Sequence, residues 1–590
     1  MEVNEDQARS DSSSEDAAEQ EGDSGEEEAA SPRSDSSGEP WDDDDTEEVR
    51  QAVLFSTNGR EHAFFTPQGD PVSFRDVLTR ADAAEWTEAA LTELLAHLRN
   101  GTWTVVELPP GKVAIGSRWV FKLKRNPDGT IDRYKARLVA QGFSQRPGFD
   151  YFEVFAGTPR FEAIRAVLAL AACEDHHLRF IDVSNAFLNG EIDAEVYMRQ
   201  PEGFERGGKN MVLRLNKAIY GLKQASRQWK EKLVHILVDQ LGFKEIYSDA
   251  SLYVYAHDGL RITVPVYVDD GMMSSNSTRL LDFCVYELSK HVKLRDLGAH
   301  SFLLGMLIER DRPNRLLAIS QRQYILDMLV RYKMDKCDTV KTPMNPSLRL
   351  SKAQGPQTNE EIEAMRAVPY SEAVGSLLYL ARGTRPDIAY AVAFLSRFVA
   401  NPGKAHWQAV KHLFRYLQGT KDLRLVYRGS LFDARNIFSA YTDSAHGDSI
   451  DTGRSTSGYL LTIGGGAVSW SSRLQSLVAQ STTEAEYIAA VDAGREAIWM
   501  RNLLSEIGYT LSGPTVLHMD NQSAISVAKN PEHHGRMKHL DLRFFWLRDQ
   551  VKAKLLVPKF VGTESMPADI LTKPLDVARV ERCRRSMGLE

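Results

Sequence analysis

Apolar positions first recur at helical spacing between residues 80 and 100, where Trp86, Leu91, Leu94, Leu95 and Leu98 follow Asp82 and Glu85 at the interval of a capping box. The spacing predicts a helix. The alternating segments Arg118 to Lys124 and Ile131 to Ala140 flank Asn126-Pro127-Asp128-Gly129 and predict a hairpin with Lys135 and Arg137 on one face. Leu178 to Val183, Ser251 to Tyr255 and Ile262 to Val268 read as strands, with a helical pattern from Gln228 to Leu241 among them. Residues 341 to 368 read as a linker, followed by helices near Tyr370 to Leu380 and Ile388 to Phe398. A basic helix comes next, with Lys404, His406, Lys411, His412 and Arg415 around Trp407, Val410, Leu413, Phe414 and Leu417. Its polar face has two readings, a solvated surface or a contact for phosphates. After residue 433 the pattern changes to strands, a Gly464-Gly465-Gly466 turn, a helix from about Thr482 to Ile507, a strand ending at Asp520 and closing helices. This is the pattern of a separate α/β domain.

The chain has 590 residues, more than one core usually organises, so roughly three or four domains or subdomains are expected. Its net charge of -8 conceals an asymmetry. Residues 1–50 hold 20 Asp and Glu against three Arg, and the rest holds 69 Lys and Arg against 60 acids. The acidic segment has too few large apolar residues to offset chain entropy, so residues 1–60 are expected to be a disordered tail or linker. The positive remainder suits a polyanionic partner or an ordinary soluble surface. Cys173, Cys284, Cys337 and Cys583 form no C-x-x-C pair, which argues against a disulfide framework or a structural zinc site. With no long apolar run and no signal-like start, the expectation is an intracellular protein without a membrane partner.

The most informative stretch is Tyr267-Val268-Asp269-Asp270, two adjacent acids closing an apolar strand. Such a pair costs desolvation and repulsion unless a cation compensates, and a divalent metal is the usual one. An ordinary Asp-Asp-Gly turn, with Gly271, explains the same residues. A further acid, Asp182, ends the Leu178 to Val183 strand.

Four motifs decide between these readings. R-W-V-F-K-L-K-R-N-P-D-G-T-I-D-R-Y-K-A-R-L-V-A-Q-G-F (118–143), D-V-S-N-A-F-L-N-G (182–190), A-I-Y-G-L-K-Q-A (218–225) and Y-V-D-D (267–270) stand in the order found in copia-type retrotransposon reverse transcriptases. The chain resembles that family over residues 80–345, and G-S-L-L-Y-L-A-R-G-T-R-P-D-I-A-Y-A-V (375–392) is also similar to it. The resemblance implies a right-hand polymerase fold within an α/β (α+β) chain. Fingers and palm would occupy 80–345, and a linker with a helical thumb or connection 346–430. It implies RNA-directed DNA synthesis by two-metal chemistry, with Asp182 and Asp269 bridging both Mg²⁺ ions, Asp270 completing the triad, and Mn²⁺ as an alternative ion. Lys135 and Arg137 would grip the triphosphate of an incoming dNTP, with a solvated strand face as the plainer reading. Phe187 would exclude a 2′-hydroxyl, or else is a core aromatic. Tyr220 and Gly221 would line the nucleotide pocket, and Leu304-Gly305-Met306 would grip the primer end. Ser226 stands where the family usually has proline.

The last segment, 433–590, resembles the ribonuclease H domain of the same elements through A-Y-T-D-S (440–444), S-T-T-E-A-E-Y-I-A (481–489), H-M-D-N-Q-S-A-I (518–525) and V-P-K-F-V-G-T-E-S-M-P-A-D-I-L-T-K-P-L (557–575). The implied metal ligands and catalytic acids are Asp443, Glu484, Asp520 and Asp569, with Asp541 the rival for the fourth place. Met566 and His446 replace the family's usual Asn and Trp. Asp451-Thr452-Gly453 matches an aspartic-protease tripeptide but has no second partner motif, and His176-His177 and His533-His534 lack metal-ligand spacing. The expected partners are an RNA template, a DNA primer and product, an RNA–DNA hybrid and dNTPs. The expected setting is part of a longer polyprotein in the cytoplasm, within virus-like particles and with nuclear access. The alternative is a decayed or host-retained element that binds nucleic acid without catalysis.

Overall fold

The apolar stripe of helix Ala83–Arg99 meets a hairpin of strands Ser117–Arg125 and Ile131–Ala140. Trp86 packs edge-on against Phe121 and Tyr134, with ring centroids 5.5 and 4.7 Å away. Asp82 precedes the helix as expected but does not cap it. Its carboxylate accepts from Trp86 Nε1 at 2.9 Å and pairs with Arg80 at 3.0 Å. The computed structural model describes residues 69–125, 130–208, 210–299, 301–433, 436–529 and 546–590. The acidic segment, the turn at 126–129, Asp541 and His533-His534 lie outside these residues.

A six-stranded sheet forms the centre of the first half. Its order is Leu294–Gly298, His177–Val183, Asp270–Ser275, Leu260–Tyr267, Leu252–His257 and Lys244–Glu245. Successive side chains point to opposite faces, so one strand feeds two cores. Leu178 and Phe180 join a core with helix Phe161–Cys173, whereas Ile181 and Val183 join another with Ala225–Val234 and Thr278–Ser289. The helical pattern read from Gln228 to Leu241 ends in a wider turn over His235–Gln240. The 341–368 segment is mostly irregular, with a short helix at Asn359–Arg366. Helices Tyr370–Gly383, Ala389–Ser396 and Lys404–Gly419 build a third core around Leu377, Leu413 and Phe414.

The final region is a five-stranded sheet in the order Gly466–Leu474, Thr456–Ile463, Ser439–Ala445, Thr515–Met519, Leu556–Phe560. The first three strands are antiparallel, and the last two run parallel to Ser439–Ala445. Helix Thr482–Glu506 packs across it. The mixed α/β architecture is the one expected.

Helix Phe161–Cys173 joins the two halves. Every residue from Ala163 to Cys173 is buried, because the helix covers the six-stranded sheet and also meets strand Gly466–Leu474. Arg165 is 0% exposed within it. It donates to the carbonyls of Val468 at 2.8 Å, Arg382 at 2.6 Å and Gly383 at 3.0 Å, and lies 3.9 Å over the Trp470 ring. Arg160 adds a two-pronged pair to Glu496 at 2.9 and 3.0 Å. Replacing Arg165 with Met leaves buried carbonyls without donors, each costing about 1–3 kcal/mol, so unfolding free energy is expected to drop by about 3 kcal/mol or more. Urea midpoints measure this, and an unchanged midpoint would show that the carbonyls find other donors.

Candidate active sites

Backbone pairing sets Asp182 directly opposite Asp270, Phe180 opposite Met272 and Leu178 opposite Ser274. Because strand side chains alternate, both carboxylates leave the same face, at the sheet end beyond the covering apolar pairs. Asp270 also pairs with Tyr267 across the turn Val268-Asp269. Val268 takes a φ of 58°, a left-handed conformation costly for a β-branched residue. The turn is pinned on both sides, by Trp229 Nε1 donating to the Val268 carbonyl at 2.7 Å and by the Val183 amide donating to that of Asp269 at 2.8 Å. At Gly271 a Cβ would stand 2.7 Å from Ile181 Cγ1, so a side chain there would pry the two acid-bearing strands apart.

Burial, and then the charges of Asp269 and Asp182, push the Asp270 carboxyl up to about 6. This repulsion, with hard oxygen donors on one face, fits a divalent cation. Among the described residues, though, the only trio whose ligand oxygens close to within 4.8 Å of one another is a different one, Asp443, Glu486 and Asp520, and the first triad stands wider.

Of the residues assigned to the nucleotide, Lys135 and Arg137 lie on the hairpin, and Tyr220 and Gly221 pack against it. The Phe187 and Tyr220 rings meet edge-on at 4.8 Å, and the Arg137 guanidinium lies 4.8 Å from the Tyr220 ring. Phe187 is half-buried and touches two of the cores, so the core-aromatic reading holds for part of its surface. Gly221, at φ 93°, leaves room for close approach to the hairpin, since a Cβ would lie 2.1 Å from the Ala140 carbonyl. The Ala140 amide in turn donates to the Tyr220 carbonyl at 2.8 Å. Burial, then Arg137, Arg133 and Lys124, holds the Lys135 ammonium below the ordinary lysine range. Leu304 and Gly305 form a left-handed turn whose Leu304 carbonyl accepts from the Tyr379 hydroxyl.

In the second centre Asp443 lies on the central strand, 1% exposed, and Asp520 follows strand Thr515–Met519. The glutamate that joins them is Glu486, not Glu484. Ser481 caps helix Thr482–Glu506 by accepting from the Glu484 amide, and the Glu484 carboxylate accepts from the Gln480 amide at 2.9 Å. Glu484 therefore serves the start of its own helix, and S-T-T-E is the capping-box spacing that marks it for that task. Two residues on, Glu486 takes the Ser444 amide at 3.3 Å on Oε1, and its buried Oε2 has no hydrogen-bond partner. Burial first, then Asp443 and Asp520, pushes its carboxyl well above the carboxylate range, and the Asp520 carboxyl is raised by burial and Asp443. Asp569 stands beside the trio, its carboxylate paired with Lys573 at 2.8 Å and with Arg579. Lys573 also reaches Asp443 at 3.3 Å. Sequence reading missed Glu486 and Lys573, although the i,i+4 spacing of Asp569 and Lys573 was a visible signal for the second.

Other singled-out residues have structural tasks. Asp451 accepts from the Lys352 amide at 3.0 and 3.1 Å. In the basic helix, His406 accepts from the Gly403 amide at 2.8 Å and meets the Ser351 carbonyl at 3.1 Å, His412 meets the Thr342 carbonyl at 3.0 Å and Arg415 donates to the Asp338 carbonyl at 2.9 Å. These three groups fasten the irregular 338–351 segment. His176 pairs with Glu174 at 3.3 Å, and Arg312 lies against His177.

Residues 100–346 match the family model described as reverse transcriptase (RNA-dependent DNA polymerase). A transposon Ty5-1 protein of Saccharomyces cerevisiae is 32% identical over 318 residues, 54% of this chain and the whole of that protein. The chain belongs to the copia-type retrotransposon Pol family. The retrovirus-related Pol polyprotein from transposon TNT 1-94 of Nicotiana tabacum is 42% identical over 532 residues, 90% of this chain. That from transposon RE2 of Arabidopsis thaliana is 40% identical over 508 residues, 85% of this chain. The copia-type chain spans 40% and 34% of those two relatives. A solved foamy viral protease-reverse transcriptase in complex with RNA/DNA hybrid is similar at 12% identity and a TM-score of 0.44, covering 88% of this chain and 61% of that one. Among the described residues no helix is long and apolar enough to cross a membrane.

In this copia-type Pol chain the raised Asp270 carboxyl has a signed consequence. The folded state holds the proton more tightly than an unfolded chain with a value near 3.8, so without metal the charged carboxylate costs stability above about pH 6. That cost fades as pH falls from 6 towards 4. Asp270→Asn is therefore expected to raise the metal-free urea midpoint at neutral pH, with the gain shrinking over that interval; a gain independent of pH would contradict it.

Proposed function

We propose that this copia-type Pol chain is an RNA-directed DNA polymerase whose C-terminal region is a ribonuclease H. The observation that carries the polymerase reading is the register placing Asp182 opposite Asp270, with Asp269 in the pinned turn between strands, inside the segment that matches the reverse transcriptase family model. Fingers and palm correspond to residues 80–345, the helical thumb or connection to 346–430 and the nuclease to 433–590. Template RNA, DNA primer, dNTPs and the RNA–DNA hybrid are the ligands, and cytoplasmic particles with nuclear access are the setting.

Asp182, Asp269 and Asp270 would hold Mg²⁺ in the first centre, and Asp443, Glu486 and Asp520 would hold it in the second. When bound, the metal lowers the pKa of the attacking primer hydroxyl or water and neutralises the leaving oxygen. Arg137 and Lys135 present cationic donors to the triphosphate, and the Phe187–Tyr220 edge sets how deep the sugar sits. A cavity of about 570 Å³ lined by Tyr267, Arg160, Arg382, Tyr459 and Trp470 lies between the Tyr267 strand end and the C-terminal sheet.

Primer extension on RNA and hybrid cleavage, run on the same preparations, test both halves. Asp269→Asn is expected to abolish extension and leave cleavage, Glu486→Gln to abolish cleavage and leave extension, and Glu484→Gln to retain cleavage within about tenfold. Binding of hybrid with neither activity in the parent chain would instead support a nucleic-acid-binding role.

A further inference from the structure

The hairpin Ser117–Arg125 and Ile131–Ala140 has two unlike faces. On one, Trp119, Phe121, Ala136 and Leu138 are buried in the core shared with helix Ala83–Arg99. The other carries Arg118, Lys122, Lys124 and Arg133, all exposed, and the half-buried Lys135 and Arg137. The register sets Lys122 opposite Lys135 and Lys124 opposite Arg133, and like charges facing each other across a strand pair cost stability. Among the described residues only two acids pair with these six cations, Asp70 with Lys122 at 2.7 Å and Asp132 with Arg133 at 3.7 Å. A triphosphate accounts for Lys135 and Arg137. It leaves Arg118, Lys122, Lys124 and Arg133 without a task.

The chain carries a counter-charge of its own. Asp42-Asp43-Asp44-Asp45-Thr46-Glu47-Glu48 places six acids in seven residues. This segment lies outside the described residues, and the chain enters the described fold at the same hairpin. Asp70 accepts from Lys122 Nζ at 2.7 Å and from the Leu123 amide at 2.8 Å. The 21 residues from 49 to 69 reach at most about 70 Å. A strand of nine residues is about 30 Å long, so every cation of the face is within range. We propose that the acidic segment 42–48 docks on the cationic face of this hairpin and competes there with the phosphates of nucleic acid. The docking stands apart from the polymerase reading, since it needs only the face and the segment. Tethering favours this occupant over a free polyanion, because a linker of this length holds the segment near its target at an effective concentration of order millimolar. The attraction is between charges at the surface, so salt weakens it, and a polyanion with more phosphates than the segment has acids displaces it. The docked acids thus screen a face that would otherwise hold any polyanion.

Carbodiimide, which joins a carboxylate to a touching lysine amine without a spacer, reads the contact in the full chain. Mixing isotopically light and heavy chains separates bonds within a chain from bonds between copies. At low salt, links from Asp42–Asp45, Glu47 and Glu48 to Lys122, Lys124 and Lys135 are expected to outnumber those to lysines elsewhere, and to fade at about 0.5 M salt. Binding of a fluorescent single-stranded DNA gives a second measure. The chain carrying Asp42→Asn, Asp43→Asn, Asp44→Asn, Asp45→Asn, Glu47→Gln and Glu48→Gln is expected to bind it about tenfold more tightly at low salt, the gain from a face previously free about a tenth of the time. With Lys124→Gln and Arg133→Gln already present, the same six changes are expected to gain less than about threefold. Links spread over surface lysines in proportion to their exposure, links chiefly between light and heavy chains, no links at all, or a binding gain that survives Lys124→Gln with Arg133→Gln would each overturn the proposal.

Discussion

Asp182 and Asp270 face each other across an antiparallel pair, and their repulsion grows as burial lowers the local dielectric. An arrangement of this kind persists only where the backbone leaves the acids nowhere else to go. Here the sheet register fixes the pair, the left-handed Val268 forces Asp269 into the turn, and Trp229 and Val183 hold that turn from two directions. Gly271 removes the one side chain that would separate the strands. The cost is met by packing elsewhere, above all by helices on both faces of the six-stranded sheet.

The second centre reaches the same electrostatic state by another route. Its acids come from a central strand, a strand end and a long helix, and they close more tightly than those of the first. Cations from its own chain, Lys573 and Arg579, occupy one side and leave the other open. Both centres depend on helix Phe161–Cys173, which is core to the six-stranded sheet and to the C-terminal sheet at once. Arg165 ties that helix by hydrogen bonds to strand Gly466–Leu474 and to the end of helix Tyr370–Gly383. A change in that helix is felt by both sheets.

Much of this was legible in the sequence. Short apolar runs located the acid-bearing strands, because each strand feeds a core from each face, and turn residues marked their ends. Motif order carried the family. Glu486 escaped notice because two glutamates stand two residues apart at a helix start, and only the folded chain shows Glu484 at the cap with Ser481 and Gln480 and Glu486 beside Asp443 and Asp520. The basic helix illustrates a different gap. Its histidines and Arg415 look like a phosphate-binding face in one dimension, and only tertiary packing shows them engaged with the carbonyls and amide of neighbouring loops. Arg165 was invisible for a related reason: in an otherwise apolar helix, nothing local indicates that distant carbonyls will converge on it.

If one core holds both centres in fixed relation, cleavage of the template strand has to follow the primer terminus. Extending a primer in single-nucleotide steps on a labelled RNA template and mapping each cut measures this directly. Cuts that advance one nucleotide for each nucleotide added are expected. Cuts scattered along the hybrid without regard to the primer end would contradict a shared, rigid placement of the two centres.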